Sequence, residues 1–245
     1  MNKKVMIISA AIAVVVLGGA GAYAVMNNYL GNNVEVESVM ATPQASAPAN
    51  EPGATEGTAS SGNAGAGTVV GADKLNGAWN IASGSKVYWS VTTSKATVNF
   101  VNEAVTGSWN VDLNDTSAMT GEGVLDMTAL DSGNGQRDGH VKGADFLAVD
   151  QFPQATFSVK SISGAPAEWT EGIAVPVTIE GTMTVKGIDK DVAFDSTAMY
   201  QDGQLLLSGT TVVTFADFGM TSPHTIVLET ENELSVQLEL MLAKA

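Results

Sequence analysis

The chain's only arginine and one of its two histidines fall within Arg137-Asp138-Gly139-His140, the stretch richest in side chains able to do chemistry. His140 has the type of a general base and Asp138 that of a carboxylate that orients one. Such a base needs a nucleophile or a metal, and local spacing supplies neither. The same residues admit two other uses: Arg137 and Asp138 can pair, cap or staple a long loop, or Arg137 and His140 can meet a ligand head group. His224 follows Pro223 in a turn, with no carboxylates spaced to complete a metal site. Asp131-Ser132-Gly133-Asn134-Gly135 has the outline of a calcium loop, but Gly133 and Gly135 occupy ligand positions and no Glu closes it. Phosphate-cradling glycine loops and the G-x-S-x-G elbow are absent. Zero Cys removes thiolate catalysis, disulfides and Cys-ligated metals. No enzyme, metal site or resident cofactor is read from these residues.

The elements that must position them are strands. Val87, Trp89 and Val91 share a face, as do Val98 and Phe100. Ile173, Val175, Val177 and Ile179 alternate with other residues in a phase that runs on to Val185, and Leu234 to Leu242 alternates most cleanly. Further strands are expected near 108–112, 121–129, 155–162, 192–200, 204–215 and 225–229. Asn114-Asp115, Asp131 to Gly135, Ser163-Gly164, Gly187-Ile188-Asp189 and Asp202-Gly203 punctuate them as turns. Residues 139–150 are expected to hold one or two short helices. Eight or more antiparallel strands predict a sandwich or a closed barrel. The length of Ile173–Lys186 favours an all-β barrel around a cavity, with room for side chains or one small ligand. The stripe Trp89, Phe100, Phe157, Val159, Val175, Val177, Ile179 and Phe194 is plain core in one reading and tunnel lining in the other.

Three regions divide the chain: 1–30, 31–72 and 73–245. Lys3 and Lys4 precede an apolar run, Val5 to Met26, whose 22 residues reach roughly 33 Å as a helix, enough to span a bilayer. Its densest block, Val5 to Leu17, also has signal-peptide length, and Ala22-Tyr23-Ala24 has the form of a cleavage site. A retained signal-anchor gives a single-pass membrane protein with its C-terminal domain exported; cleavage after Ala24 gives a secreted or periplasmic one. Residues 31–72 hold no Lys or Arg, four Glu and Pro43, Pro48 and Pro52 among small residues, a composition expected to stay disordered. Residues 73–245 carry 9 Lys/Arg against 22 Asp/Glu, which argues against nucleic acid as a partner.

Five short motifs occur in order along the third region. They are Trp79-Asn80-Ile81 with Ser85-Lys86-Val87; Val105 to Trp109; Arg137 through Asp145-Phe146 to Phe152-Pro153 and Phe157; Gly181 to Lys190; and Ala216-Asp217-Phe218-Gly219. Together they resemble the YceI-like family of polyisoprenoid-binding, lipocalin-like β-barrels. The resemblance implies a barrel around an isoprenoid chain, such as a quinone tail or polyprenyl lipid, with the stripe against the tail and Arg137 and His140 near the mouth or the loop clasp. The partners it suggests are that hydrophobic small molecule, the membrane through the N-terminal helix, and a second copy of the chain as a homodimer. The competing reading is a filled-core structural or interaction domain of the cell envelope, with no small-molecule ligand.

Overall fold

The computed structural model describes residues 31–40, 68–223 and 229–245. The apolar run, the Ala24 cleavage site and His224 lie outside them, as does nearly all of the strand expected at 225–229. Among the described residues no helix is long and apolar enough to cross a membrane.

The strands are β1 (Val69–Val70), β2 (Gly77–Ile81), β3 (Lys86–Thr93), β4 (Thr97–Asn102), β5 (Val105–Val111), β6 (Thr120–Asp126), β7 (Gln154–Ser163), β8 (Trp169–Thr170), β9 (Val175–Val185), β10 (Ile188–Gln201), β11 (Gln204–Thr214) and β12 (Thr230–Lys244). Two helices join them, α1 (Ala72–Leu75) and α2 (Gly135–Lys142). The order β11-β10-β9-β7-β6-β5-β2-β12 closes on itself because β12 also pairs with β11, giving an eight-stranded antiparallel barrel. Closure leaves no free edge in the ring.

Period-two patterning drives this arrangement: Leu234, Val236, Leu238, Leu240 and Leu242 of β12 are all buried, opposite Val213, Leu207 and Leu205 of β11. Two tight hairpins set the register. Asp202 and Gly203 both have positive φ (52° and 80°), as do Lys186 and Gly187 (54° and 72°), the conformation of a two-residue turn that matches strand twist. The second hairpin therefore turns at Lys186-Gly187, and Ile188 and Asp189 already belong to β10. Ile173 stands outside β9 and is 55% exposed, so the regular alternation starts only at Val175.

β12 has different neighbours along its second side. Its first half pairs with β3, through Leu234↔Val91 to Glu239↔Lys86, and its last residues pair with β2. β4 hydrogen-bonds to β3 and, through Val101 alone, to Asp131 in the loop after β6. The end of the barrel holding Thr93, Thr97, Thr214 and Thr230 is the upper end here; that holding the Asp202-Gly203 turn is the lower. Leu75 of α1 and Trp169 of β8, both buried, lie at the lower end.

Residues 31–40, counted with the linker from composition, lie along the outer wall. Asn32 Oδ1 accepts from the Asn99 N–H (2.9 Å), and Asn99 Nδ2 donates to Val34 O (2.8 Å). The Glu37 N–H donates to the Tyr88 hydroxyl, and the Glu37 carboxylate pairs with Lys86. Ser38 Oγ and the Val39 N–H both donate to Glu239 Oε2. Tyr88 and Glu239 sit at outward strand positions yet are only 1% exposed, because this strap covers them.

Candidate functional site

The Arg137 region forms from a cap and a staple. Asn134 Oδ1 accepts from the backbone N–H groups of Gln136 and Arg137 and starts α2 at Gly135. That is four residues earlier than expected, within a stretch read as a turn. Asp138 Oδ1 accepts from the N–H and hydroxyl of Ser132, while Arg137 Nε donates to Ser132 Oγ (2.9 Å) and Nη2 to Ser132 O (3.2 Å). Ser132 is fully buried, and Arg137 and Asp138 nearly so. Next to it, Asp131 exchanges two backbone hydrogen bonds with Val101 of β4. The cluster therefore staples the long loop to the barrel wall. The Arg137 guanidinium also lies 5.9 Å from the Phe100 ring centroid and donates through Nη1 to Gly31 O.

His140 is placed differently. It is exposed on α2 and makes an edge contact with Phe146 at 5.0 Å. Among the described residues no hydrogen bond joins it to Asp138, whose Oδ1 is spent on Ser132. The geometry of an oriented base is therefore not assembled here.

Beneath this loop, at the upper end, lies a cavity of about 210 Å³. Trp89, Val98, Phe100, Phe146, Phe215 and Leu234 wall it, with Arg137 and His140 as its charged or titratable lining. Phe215 and Met220 reach it from the tight turn after β11. There Asp217 Oδ2 accepts from the Thr214 N–H, Asp217 Oδ1 accepts from the Lys190 ammonium, and Gly219 adopts φ 65°. The Lys190 bond first, and the Thr214 N–H after it, hold the Asp217 carboxyl below its usual range.

A second cavity of about 60 Å³ lies at the lower end among Leu75, Trp109, Trp169, Val177, Ile179 and Leu242. Along β12 the inward side chains Val236, Leu238 and Leu240 separate it from the first. Phe194, fully buried, meets Phe157 edge-on at 5.2 Å in the packed waist between them. Gly181 makes this possible: a Cβ there would lie 2.4 Å from the Phe157 ring. The interior thus has a cavity toward each end, with the buried Phe194 and the partly exposed Phe157 between them.

Of the ten residues singled out from sequence, Trp89, Phe100, Arg137 and His140 meet in the upper cavity. Val177 and Ile179 line the lower one. Phe157 and Phe194 form the waist; Val159 and Val175 pack against the core and line neither cavity. Sequence reasoning missed Phe215, Met220, Phe146 and Leu147 as lining, although the D-F-G turn and the segment before Pro153 both marked these places. It also missed that the indole N–H groups of Trp89 and Trp109, each on a cavity wall, lack an acceptor among the described residues.

The model of the YceI-like domain family matches residues 79–241, most of the chain and nearly the whole barrel. The chain belongs to the YceI-like family. A UPF0312 protein of Shewanella sp. (strain W3-18-1) is 29% identical over 123 residues, covering 46% of this chain and 59% of its own. One from Staphylococcus aureus (strain bovine RF122 / ET3-1) is 32% identical over 84 residues, 34% of this chain and 42% of its own. The chain therefore spans 59% of the length of the Shewanella relative. Among solved structures, a polyisoprenoid binding domain from Saccharophagus degradans superposes with TM-score 0.58 at 12% identity, covering 69% of this chain and 99% of that one. Burkholderia cenocepacia BcnA gives 0.56 at 19% identity, covering 66% and 98%. These likenesses establish the YceI-like barrel fold.

Proposed function

We propose that this YceI-like domain is exported, is tethered to a membrane by the apolar run Val5 to Met26, and sequesters or carries the isoprenoid-type chain of an amphiphile. The observation that carries this reading is the upper cavity, walled by Trp89, Phe100, Phe146 and Phe215 with Arg137 and His140 beside it. A mainly apolar wall with a few polar residues, Thr93, Arg137, His140 and Thr230, suits a greasy ligand held by a small head group. The polyisoprenoid binding domain with the same fold supports the choice of chain. At about 210 Å³ the cavity falls short of the ~300–1,000 Å³ typical of ligand sites, so it receives one end of a long chain. The remainder needs the waist at Phe157–Phe194 to part.

The packed waist favours the second reading, a filled structural domain, and the cavity beside Trp89 opposes it. Native mass spectrometry of the full chain purified from membranes in mild detergent, followed by organic extraction, separates the two. The expected result is a co-purifying apolar chain that organic solvent removes. Lipid-free protein that also takes up neither an added prenyl alcohol nor a prenylated quinone would leave only the structural reading.

A further inference from the structure

We infer that the seam between β4 and helix α2 is a lateral portal into the upper cavity, and that the strap 31–40 is its latch. This rests on the reading above that the cavity takes an apolar chain, and adds the route by which the chain enters.

The barrel wall is discontinuous at this seam. β4 joins the sheet through β3, and a single bridge, Val101 with Asp131, ties its other edge to the loop between β6 and β7. Val98 and Phe100 of β4 line the upper cavity from one side of the seam, and Arg137, His140 and Val141 of α2 line it from the other. Alternate residues of an antiparallel strand turn their backbone N–H and C=O away from the partner strand. Val101 directs these groups to Asp131, and Asn99, two residues away, faces the same side and donates its N–H to Asn32 Oδ1 of the strap (2.9 Å). Across the seam Arg137 Nη1 donates to Gly31 O (2.9 Å), and Asn33 packs on Gly133, where a Cβ would lie 2.8 Å from that of Asn33. Residues 31–33 therefore bridge β4 and the loop beyond the one bridge that the strand itself makes. Among the described residues, the other hydrogen bonds of 132–147 stay within the loop, Lys142 Nζ to Thr128 O included.

The rest of the strap is built both to hold and to release. From Asn32 it crosses β4, β3 and β12 in turn. Val34 O accepts from Asn99 Nδ2, the Glu37 N–H and carboxylate meet Tyr88 and Lys86, and Ser38 and Val39 donate to Glu239. These contacts are polar, and Asn32, Asn33 and residues 35–38 remain exposed. Release uncovers a phenol hydroxyl, an ammonium and a carboxylate, whose hydrogen bonds water takes over. A segment held in this way at the surface opens at far lower cost than the barrel beneath it. Seated, the strap ties α2 to β4. Released, it leaves α2 with its internal Ser132 staple and the Asp131 bridge, so the helix swings from β4 as a unit and the seam opens.

Asn32→Ala, Glu37→Pro and Val39→Pro together remove one acceptor and two N–H donors from the strap and leave every barrel residue unchanged. In the full chain in mild detergent, hydrogen–deuterium exchange is read at residues 135–149, with the β9–β10 hairpin at 183–190 as reference. Uptake and release of anthraniloyl-farnesol are timed by stopped-flow fluorescence. The expected result is faster exchange at 135–149 with the reference unchanged. Entry and exit of the probe should both accelerate by about tenfold, the worth of one charge-assisted hydrogen bond, at nearly constant affinity. Parent-like exchange at 135–149, or equal acceleration in the hairpin, overturns the latch. Faster exit alone, with affinity lost in proportion, means that the strap shapes the site rather than gating it, and overturns the portal. A parent chain that takes up no probe overturns the lipid-carrying reading and the route with it, while the exchange data still decide whether the strap holds α2 to β4.

Discussion

The two ends of the barrel interior are built from the same alternating strands, yet they are differently finished. The upper end has about 210 Å³ of space under a loop held by Arg137, Ser132 and Asp138, with His140 on the surface beside it. The lower end has about 60 Å³, a wholly apolar wall, and Leu75 and Trp169 among its lining. Each end holds a buried indole N–H that lacks an acceptor among the described residues, so a missing partner does not distinguish them. What differs is the lining itself, which includes Arg137 and His140 only in the upper cavity. A ligand that keeps its head in water and its tail in hydrocarbon meets Arg137 and His140 in the lining of the upper cavity, whereas the lower lining is apolar and the ammonium near it, Lys244, lies over the Trp79 ring and donates to Lys74 O and Asn76 O. Space in a barrel becomes a site only where something at its rim can fix an orientation.

The waist is what keeps the two ends separate, and removing it carries the largest expected effect. Phe194→Ala deletes a fully buried ring and its edge contact with Phe157, which should cost about 3–5 kcal/mol in urea unfolding. In protein that still folds, the joined space should admit a longer chain, read by native mass spectrometry as a heavier adduct. A loss below ~1 kcal/mol would mean that the waist is already loosely packed. The same added ring at each end then tests the contrast directly. Val177→Phe, entering the small lower cavity, should cost ~1–3 kcal/mol by overpacking. Val98→Phe has open space to occupy, should cost less than that, and should reduce uptake of a prenyl probe. Equal costs at the two positions would erase the distinction.

The loop staple comes next in size. Ser132→Ala removes the hydroxyl that donates to Asp138 and accepts from Arg137, leaving both charged groups short of a partner inside the fold. A loss of about 1–3 kcal/mol is expected, with probe uptake falling as α2 shifts over the upper cavity. Unchanged stability together with unchanged uptake would reduce the staple to decoration.

Much of this was legible in the sequence. Alternation marked the strands from Val87 to Leu242, Asp202-Gly203 announced its hairpin, and the five ordered motifs pointed to the barrel now established. The division of the interior was not legible. Leu234 and Leu238 are the same residue type two pleats apart, and which one borders a void depends on strand tilt and on glycines such as Gly181 that admit a neighbouring ring. The strap was hidden for another reason. Residues 31–40 have a linker's composition, and Glu239 continues an outward series of Glu233, Ser235 and Gln237 that reads as solvated. Only the docked Ser38 and Val39 reveal that one member of that series is covered. Helix α2 was displaced because Asn134, read as a turn residue, is its cap.

The smallest expected effect concerns the turn that presents Phe215 and Met220 to the upper cavity. Asp217 is depressed in the folded state by the Lys190 ammonium and the Thr214 N–H. A carboxylate whose folded pKa lies below its unfolded value near 4 stabilises fully above that unfolded value, and the contribution disappears as pH falls through the folded pKa. The contribution is present at neutral pH and lost in acid. Because Lys190 is 43% exposed, screening limits the pair to about 0.2–1 kcal/mol. Asp217→Asn should therefore lower stability slightly at pH 7 and flatten the decline that sets in as pH falls below the unfolded carboxyl value near 4, relative to the parent chain. Among the described residues the Asp217 turn does not line the lower cavity, so a fluorescent reporter seated there should follow the global transition in both proteins. An acid decline of unchanged slope in Asp217→Asn would place the sensitivity elsewhere, with Glu37 on the strap, held low by Lys86, as the next carboxyl to replace.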